Sequence, residues 1–251
     1  MSTVCAKQPL HVSSDGLSCL FPQNIGGEIA IYDVAYLQSI RQRPLVGCER
    51  KRTAGSLTVS VFYSTKNPDK FPAMQSWIKE QLQRDCPGVT INFNEKMEDV
   101  PEESAAGGAQ PYFQFGISGA VWRSEHIERL PVDSPSDAVF CLSVESSLNG
   151  SSAVHDQPNF YAVELYSGRS IGARGRGPFV QPELLALALE DGFVAGGKLC
   201  SNTTYGQVVK KKFGISSSDW QFIVTKGNYG RTLLIREMLE QVKLDVRFLT
   251  E

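Results

Sequence analysis

LTVSVFYSTKNPDK, residues 57–70, is the stretch on which the fold turns. Its first half, Leu57–Ser64, alternates β-branched and aromatic residues with small or polar ones, the pattern of a strand. Its second half, Ser64–Lys70, is a polar turn with Asn67-Pro68 at its centre. Proline is tolerated where a helix starts, because its missing N–H has no intrahelical partner there. Phe71, Met74, Trp77, Ile78 and Leu82 then recur at helical spacing. Cys86-Pro87-Gly88 stops that helix, and Val89–Glu95 (VTINFNE) reads as the next strand.

Working outward, Pro101–Ala109 is a loop rich in Glu, Ala and Gly, and FGISGAVWRSEHIERL after it predicts a helix. Asp137–Ser147 is apolar on both parities, as a buried central strand is. Asn159–Ser167 and Arg169–Ala173 predict a meander. Three helices follow, over Pro182–Asp191, Thr204–Phe213 and Gly230–Lys243, with Trp220–Gly227 between the last two as a strand or turn. A strand–helix–strand opening and a central meander predict an α/β fold, a mixed central sheet with flanking helices. Residues 1–55 read as an N-terminal extension, partly irregular, and residues 56–251 as the α/β domain. Within the extension, Ile29–Ile40 is one short helix or strand. Arg41–Ser56, with Arg50, Lys51, Arg52 and Gly55, is a linker whose basic cluster serves solubility.

The bulk composition narrows the function classes. Hydrophobic residues make up 41% of the 251 and charged residues 21%, ordinary for a globular protein. A net charge of −2 argues against a dedicated nucleic-acid binder. The six cysteines, Cys5, Cys19, Cys48, Cys86, Cys141 and Cys200, contain no C-x-x-C pair and only three histidines accompany them, so a structural zinc site is poorly supported. Their scatter reads as reduced thiols in the cytoplasm. No apolar run reaches the ~18 residues of a membrane span, and the start lacks a signal-peptide pattern, so no membrane partner is expected.

Three segments carry chemistry. A turn at the carboxyl end of a first strand, opening a helix, is where α/β sheets hold ligands, and free N–H groups there favour anions. Thr65 and Asn67 add neutral donors and Lys70 a positive charge, which suits phosphate; the plainer reading is a helix cap. Glu145 emerges from the apolar run VFCLSV, where a carboxylate can hold Mg²⁺ against substrate phosphates, or simply end a strand. Thr225-Lys226-Gly227-Asn228-Tyr229-Gly230-Arg231 places two glycines around a turn before a helix. Thr225, Lys226 and Arg231 can embrace phosphate oxygens, or be solvated charges on a connector. His126 and His155 lack partners at metal spacing and read as surface residues. Trp77 fits a core face. Lys210, Lys211 and Lys212 read as a solvated helix face that can border a phosphate cleft, and Arg174 and Arg176 as an exposed loop.

These segments stand in the order of a known family. The chain resembles the house-cleaning inosine/xanthosine triphosphatases, and more closely the C-terminal domains of eukaryotic proline-rich coiled-coil proteins related to them. The shared pattern covers about residues 57–243. Ser64–Lys70 is similar to the family's T-x-N-P-x-K phosphate loop. Ser143-Val144-Glu145-Ser146 is similar to its strand-end Glu motif, whose carboxylate serves the metal. Pro182 through Gly192 keeps its proline-to-glycine spacing, and Thr225, Gly227 and Arg231 keep its T-x-G-x-x-x-R spacing.

One segment departs. Where the enzymes carry Gln-Pro-Gly-x-x-Glu-Thr-x-x-Gly-Ala, this chain reads Gln110-Pro111-Tyr112-Phe113-Gln114-Phe115-Gly116-Ile117-Ser118-Gly119-Ala120. The acid is gone, and Trp122-Arg123 replaces Asn-Arg, leaving Arg123 as the match. Losing a carboxylate removes a metal ligand or a base; Glu98, Asp99, Glu102 and Glu103 are compensating candidates or a solvated loop. The resemblance implies an Mg²⁺-dependent phosphohydrolase of deaminated purine nucleoside triphosphates. Glu145 would be its catalytic metal ligand, and Thr65, Asn67, Lys70, Thr225 and Arg231 would grip the phosphates. The departure implies the alternative, a nucleotide-binding or protein-interaction module of the same fold. The extension before Gly55 is expected to dock a partner or close a homodimer.

Overall fold

The computed structural model describes residues 25–42, 56–100, 110–112, 115–133, 135–150, 153–190, 200–201, 203–214, 220–225 and 227–250. The basic cluster Arg50–Arg52, the loop acids Glu102 and Glu103, Phe113, Gln114 and Lys226 lie outside them, as do Cys5, Cys19 and Cys48.

Residues 57–70 place the first long strand as predicted. β3 (Ser56–Tyr63) runs into the Ser64–Lys70 turn, then α2 (Phe71–Asp85), then β4 (Thr90–Met97), parallel to β3. The helix starts three residues beyond Pro68, at Phe71, with Pro72 in its first turn, and Lys70 is its N-cap residue. β6 (Ala138–Asn149) returns parallel to β3 on its other side, and β7 (His155–Glu164) and β8 (Ser170–Arg174) follow antiparallel. Two shorter segments precede them in the chain: Ile29–Ile40 divides into β2 (Ala30–Tyr32) and α1 (Val34–Ser39), capped by Asp33, whose carboxylate accepts the Tyr36 N–H at 2.7 Å. β2 pairs with β8, so this part of the expected extension belongs to the sheet. The result is a mixed α/β fold with six central strands in the order β2-β8-β7-β6-β3-β4, flanked by helices; the short strands β1 (Ile25–Gly26) and β5 (Gln110–Pro111) pair outside it with Gly177–Pro178 and Cys200–Ser201.

Strand alternation sorts the core into two layers. Val59, Val61, Tyr63, Phe140, Leu142 and Phe160 face α2 and α7 (Arg231–Leu239). Phe62, Val139, Cys141, Tyr161 and Val163 face α1 and α3 (Phe115–Ile127). A third cluster joins α4 (Pro182–Glu190), α5 (Tyr205–Phe213) and α6 (Trp220–Val224) to Tyr112 and Leu148. α6 replaces the strand or turn expected over Trp220–Gly227: Trp220, Gln221 and Val224 are buried at helical spacing, and packing against Tyr205 overrides β propensity. Ile78 is fully buried on α2, so Ile78→Ala should cost about 2–5 kcal/mol. A urea midpoint lowered at constant m-value would show it.

β7 begins earlier than expected. His155 is its first residue, buried, with Nδ1 against the Gly177 carbonyl at 3.1 Å, rather than a surface residue. Pro158 disguised the strand, since proline is uncommon in a central strand. Trp77 is the core residue expected, its Nε1 donating to the Val242 carbonyl at 3.1 Å. Among the described residues no helix is long and apolar enough to cross a membrane.

Candidate functional site

The Ser64–Lys70 turn folds on its own side chains. Thr65 Oγ1 accepts the Asn67 N–H at 3.0 Å, and Asn67 Oδ1 accepts the Asp69 N–H at 2.8 Å. Such local bonds fix a turn and spend the side chains' acceptors. What remains for a ligand is the donor set: the Thr65 hydroxyl proton, the Asn67 amide and the Lys70 ammonium. Asp99, two residues past the end of β4, accepts the Lys66 N–H at 2.7 Å and holds the turn from outside.

Glu145 comes to the turn from β6. It is 5% exposed, and its Oε2 accepts from Arg123 Nε while its Oε1 accepts the Ser146 N–H at 2.9 Å. Arg123 stands one helical turn after Gly119 on α3, and Gly119 lets Glu145 lie close: a Cβ there would sit 3.1 Å from Glu145 Cγ. Arg123 Nη1 donates to the Val100 carbonyl at 3.1 Å, which points the guanidinium at the acid. Burial pushes the Glu145 carboxyl up, but Arg123 and Lys70 more than offset it, so it stays below the ordinary range and ionised.

Arg231 is delivered by the Gly227 turn. Thr225 Oγ1 lies 2.8 Å from both the Gln221 and the Tyr229 carbonyl oxygens, which share its single proton, and it accepts the Tyr229 N–H at 2.9 Å. Gly227 takes the left-handed φ of 79° that this turn needs. Thr232 Oγ1 then donates to the Asp69 carbonyl at 2.9 Å and ties α7 to the Ser64–Lys70 turn. Thr225 therefore shapes the turn that carries Arg231, and it does not line the cavity.

These elements close on one cavity of about 200 Å³ that brings together Asn67, Lys70, Glu145, Asp156, Lys210 and Arg231. A second hollow of about 520 Å³ shares Asn67 and Lys70 with it and adds Ser64, Thr65, Asp99 and Arg123. Its size falls in the range of small-molecule sites. The Ser64–Lys70 turn and the strand-end acid thus meet in one place. Arg174 and Arg176 line neither hollow, and Arg176 pairs with Glu237 at 3.1 Å.

Asp156 is the residue that sequence reasoning missed. It is 5% exposed on β7; Gln221 Nε2 donates to its Oδ2 at 2.8 Å, and its Oδ1 has no hydrogen-bond partner. The only sequence signal was an acid two residues before a proline in a strand-like run. Burial raises its carboxyl above the ordinary range, and Arg231, Gln221 and Lys70 draw it part of the way back. Burial also lowers the Lys70 ammonium to about 8 against the pull of Glu145, with Arg231 and Arg123 adding to the fall. The lining is cationic on balance: Lys66, Lys70, Arg123, Lys210 and Arg231 outnumber Asp99, Glu145 and Asp156. Such a lining favours a polyanion.

The residues do not form a magnesium site by themselves. No group of three or more His, Cys, Asp or Glu side chains gathers among the described residues. Glu145 is taken by Arg123, and a divalent cation entering the cavity would face Lys70 and Arg231.

No family model and no curated protein matches the chain. Among solved structures it is similar to protein VC0702 from Vibrio cholerae, at 14% identity and a TM-score of 0.44, over 72% of this chain and 90% of that one. A PelC dodecamer from Paraburkholderia phytofirmans aligns at 10% identity and a TM-score of 0.21, over 83% of this chain and 99% of the other. A neuraminyllactose-binding hemagglutinin homolog from Helicobacter pylori aligns at 11% and 0.24, over 83% and 94%.

Proposed function

We propose that the cavity binds the phosphates of a purine nucleoside triphosphate, and that the chain is a cytoplasmic nucleotide-binding module rather than an efficient hydrolase. The observation that supports this is the Arg123–Glu145 ion pair at the wall of a cavity already lined by Lys70, Lys210 and Arg231. The acid expected to hold magnesium is neutralised by an arginine, and Lys70, Lys210 and Arg231 line the space beside it. Asn67 and Thr65 supply neutral donors, and Arg231 supplies the fork suited to two phosphate oxygens. The preference for a deaminated purine rests on the resemblance of the motifs.

Hydrolysis is the second reading, favoured by Asp156: a second carboxylate, buried, shares the cavity with Glu145. Magnesium brought in on the phosphates would then be held between the two acids and would supply charge neutralisation at phosphorus.

Calorimetric titration with inosine triphosphate, in EDTA and in magnesium, combined with an assay of released phosphate, tests both. We expect metal-independent binding that weakens with salt, and phosphate release no faster than in a Lys70→Ala control. Absence of binding in either buffer would remove the nucleotide reading. Magnesium-dependent turnover lost in Glu145→Ala would establish the hydrolase.

A further inference from the structure

Arg174 ends β8, away from both hollows. Among the described residues it has no ion pair and no hydrogen bond; its Nε is buried without a partner, and its two terminal nitrogens reach solvent. A half-buried guanidinium without an acceptor is unfavourable, and native structures seldom keep one without a use. β2 lies beside it. Ala30 pairs with Arg174 and Tyr32 with Gly172, so alternation puts the Tyr32 and Arg174 side chains on one face of the sheet. They are diagonal neighbours, a spacing that an aromatic and a long side chain can span. Gly172 has no side chain, and Leu37 of α1 fills its place: a Cβ there would sit 2.7 Å from Leu37 Cδ2. Tyr36 of α1 stacks on Tyr32, with ring centroids 5.5 Å apart. The half-buried Tyr32 keeps its hydroxyl in reach of solvent, with no hydrogen-bond partner among the described residues. Burial raises that hydroxyl above its ordinary range, Arg174 draws it part of the way back, and Tyr36 adds to the rise. The adjacent acid, Asp33, is committed to the α1 cap.

We propose that Tyr32 is a phosphorylation site whose phosphate is captured by Arg174. A tyrosine kinase supplies the group from a nucleoside triphosphate: the Tyr32 O–H bond breaks, an O–P bond forms, the nucleoside diphosphate leaves and the proton passes to the kinase's base. The phosphate brings a charge near −2 and three acceptor oxygens, which suit the terminal guanidinium nitrogens. An anion attached to Tyr32 loses no translational freedom on reaching Arg174. A free anion does lose it, and one arginine at a rim is too little to hold such an ion. Capture pins β2 and α1 to β8. These elements are three and six residues long, short enough to open locally and admit the kinase.

The full chain with phosphotyrosine encoded at position 32 tests the capture. Its ³¹P resonance should titrate about half a pH unit or more below the ordinary midpoint near 6, and Arg174→Gln should restore that midpoint. A tyrosine phosphatase should release the phosphate roughly tenfold faster from Arg174→Gln, the factor expected for one lost charge-assisted bond. Arg174 holds no bond in the unmodified protein, so unmodified Arg174→Gln should melt with wild type. Equal midpoints or equal release rates overturn the proposal. The unmodified full chain tests the site itself: after treatment with a broad-specificity tyrosine kinase and ATP, mass spectrometry should place phosphate on Tyr32, and its absence from Tyr32 overturns the proposal.

Discussion

Lys70→Ala should lower the affinity for tripolyphosphate or inosine triphosphate roughly 10- to 100-fold, the range for losing one charge-assisted hydrogen bond of about 1.5–3 kcal/mol. Lys70 is the single cation that lines both hollows, and Arg231 and Arg123 are its neighbours in charge. The same loss should be reached in wild type by raising pH. The Lys70 midpoint lies near 8, so binding is at full strength below it and fades as the ammonium deprotonates above it. The variant should show no fading in that window, which calorimetry at pH 7 and pH 9 would establish. Stability should move the other way. The folded state holds the Lys70 proton less tightly than the unfolded chain, so charging this lysine opposes folding at neutral pH. Lys70→Met, which keeps the aliphatic stem, should therefore melt no lower than wild type while failing to bind. That pairing of lost function with kept stability is the mark of a residue selected for its ligand.

Arg123→Ala should have the largest effect on stability, about 3–5 kcal/mol at pH 7, because it strands Glu145 in a dry wall. The pair is buried on both sides, at 9% and 7% side-chain exposure, so solvent cannot take the arginine's place. Its pH dependence can be assigned. In wild type the Glu145 carboxyl is held below its ordinary range, so its contribution is present at neutral pH and is lost as pH falls through the folded value. Without Arg123, burial dominates and the carboxyl titrates above its unfolded value. The variant should then regain stability as pH falls, and its deficit against wild type should narrow toward pH 4–5. Urea melts at pH 7 and pH 5 would measure this. A deficit constant with pH would mean that Arg123 acts through packing and through its bond to the Val100 carbonyl alone. Glu145→Gln in the Arg123→Ala background should restore part of the loss, since an amide is cheaper to bury than a charge.

Much of the fold was legible in the chain. The 3.6-residue spacing from Phe71 to Leu82 and the alternation from Leu57 have no other good reading, and the helix and strand stand where they predict. The double-parity apolar run became the central strand β6 because both of its faces are covered. The errors have physical causes. Pro158 hid the start of β7, and a single buried face at Trp220 turned a β-rich segment into a helical turn. Within the site, Lys70, Asn67, Glu145 and Arg231 were found from motif order and meet in one cavity, and Thr65 lines the hollow beside it. Thr225 was named for contact with phosphate but is committed to its own turn.

By itself the sequence determined which residues carry charge and which elements they end, because periodicity and turn chemistry are local. Only the tertiary structure decided that Glu145 and Asp156 share a space. Glu145 pairs with Asn159 and Asp156 with Leu148, so alternation sends the two acids to opposite faces of the sheet. They converge because β3 ends at Tyr63, opposite Leu142, while β6 and β7 run on past it to Asn149 and His155. Beyond that point β6 has lost its long neighbour and meets the short Gln110–Tyr112 segment, through the Tyr112–Leu148 bridge, and side chains from both faces line the same cavity.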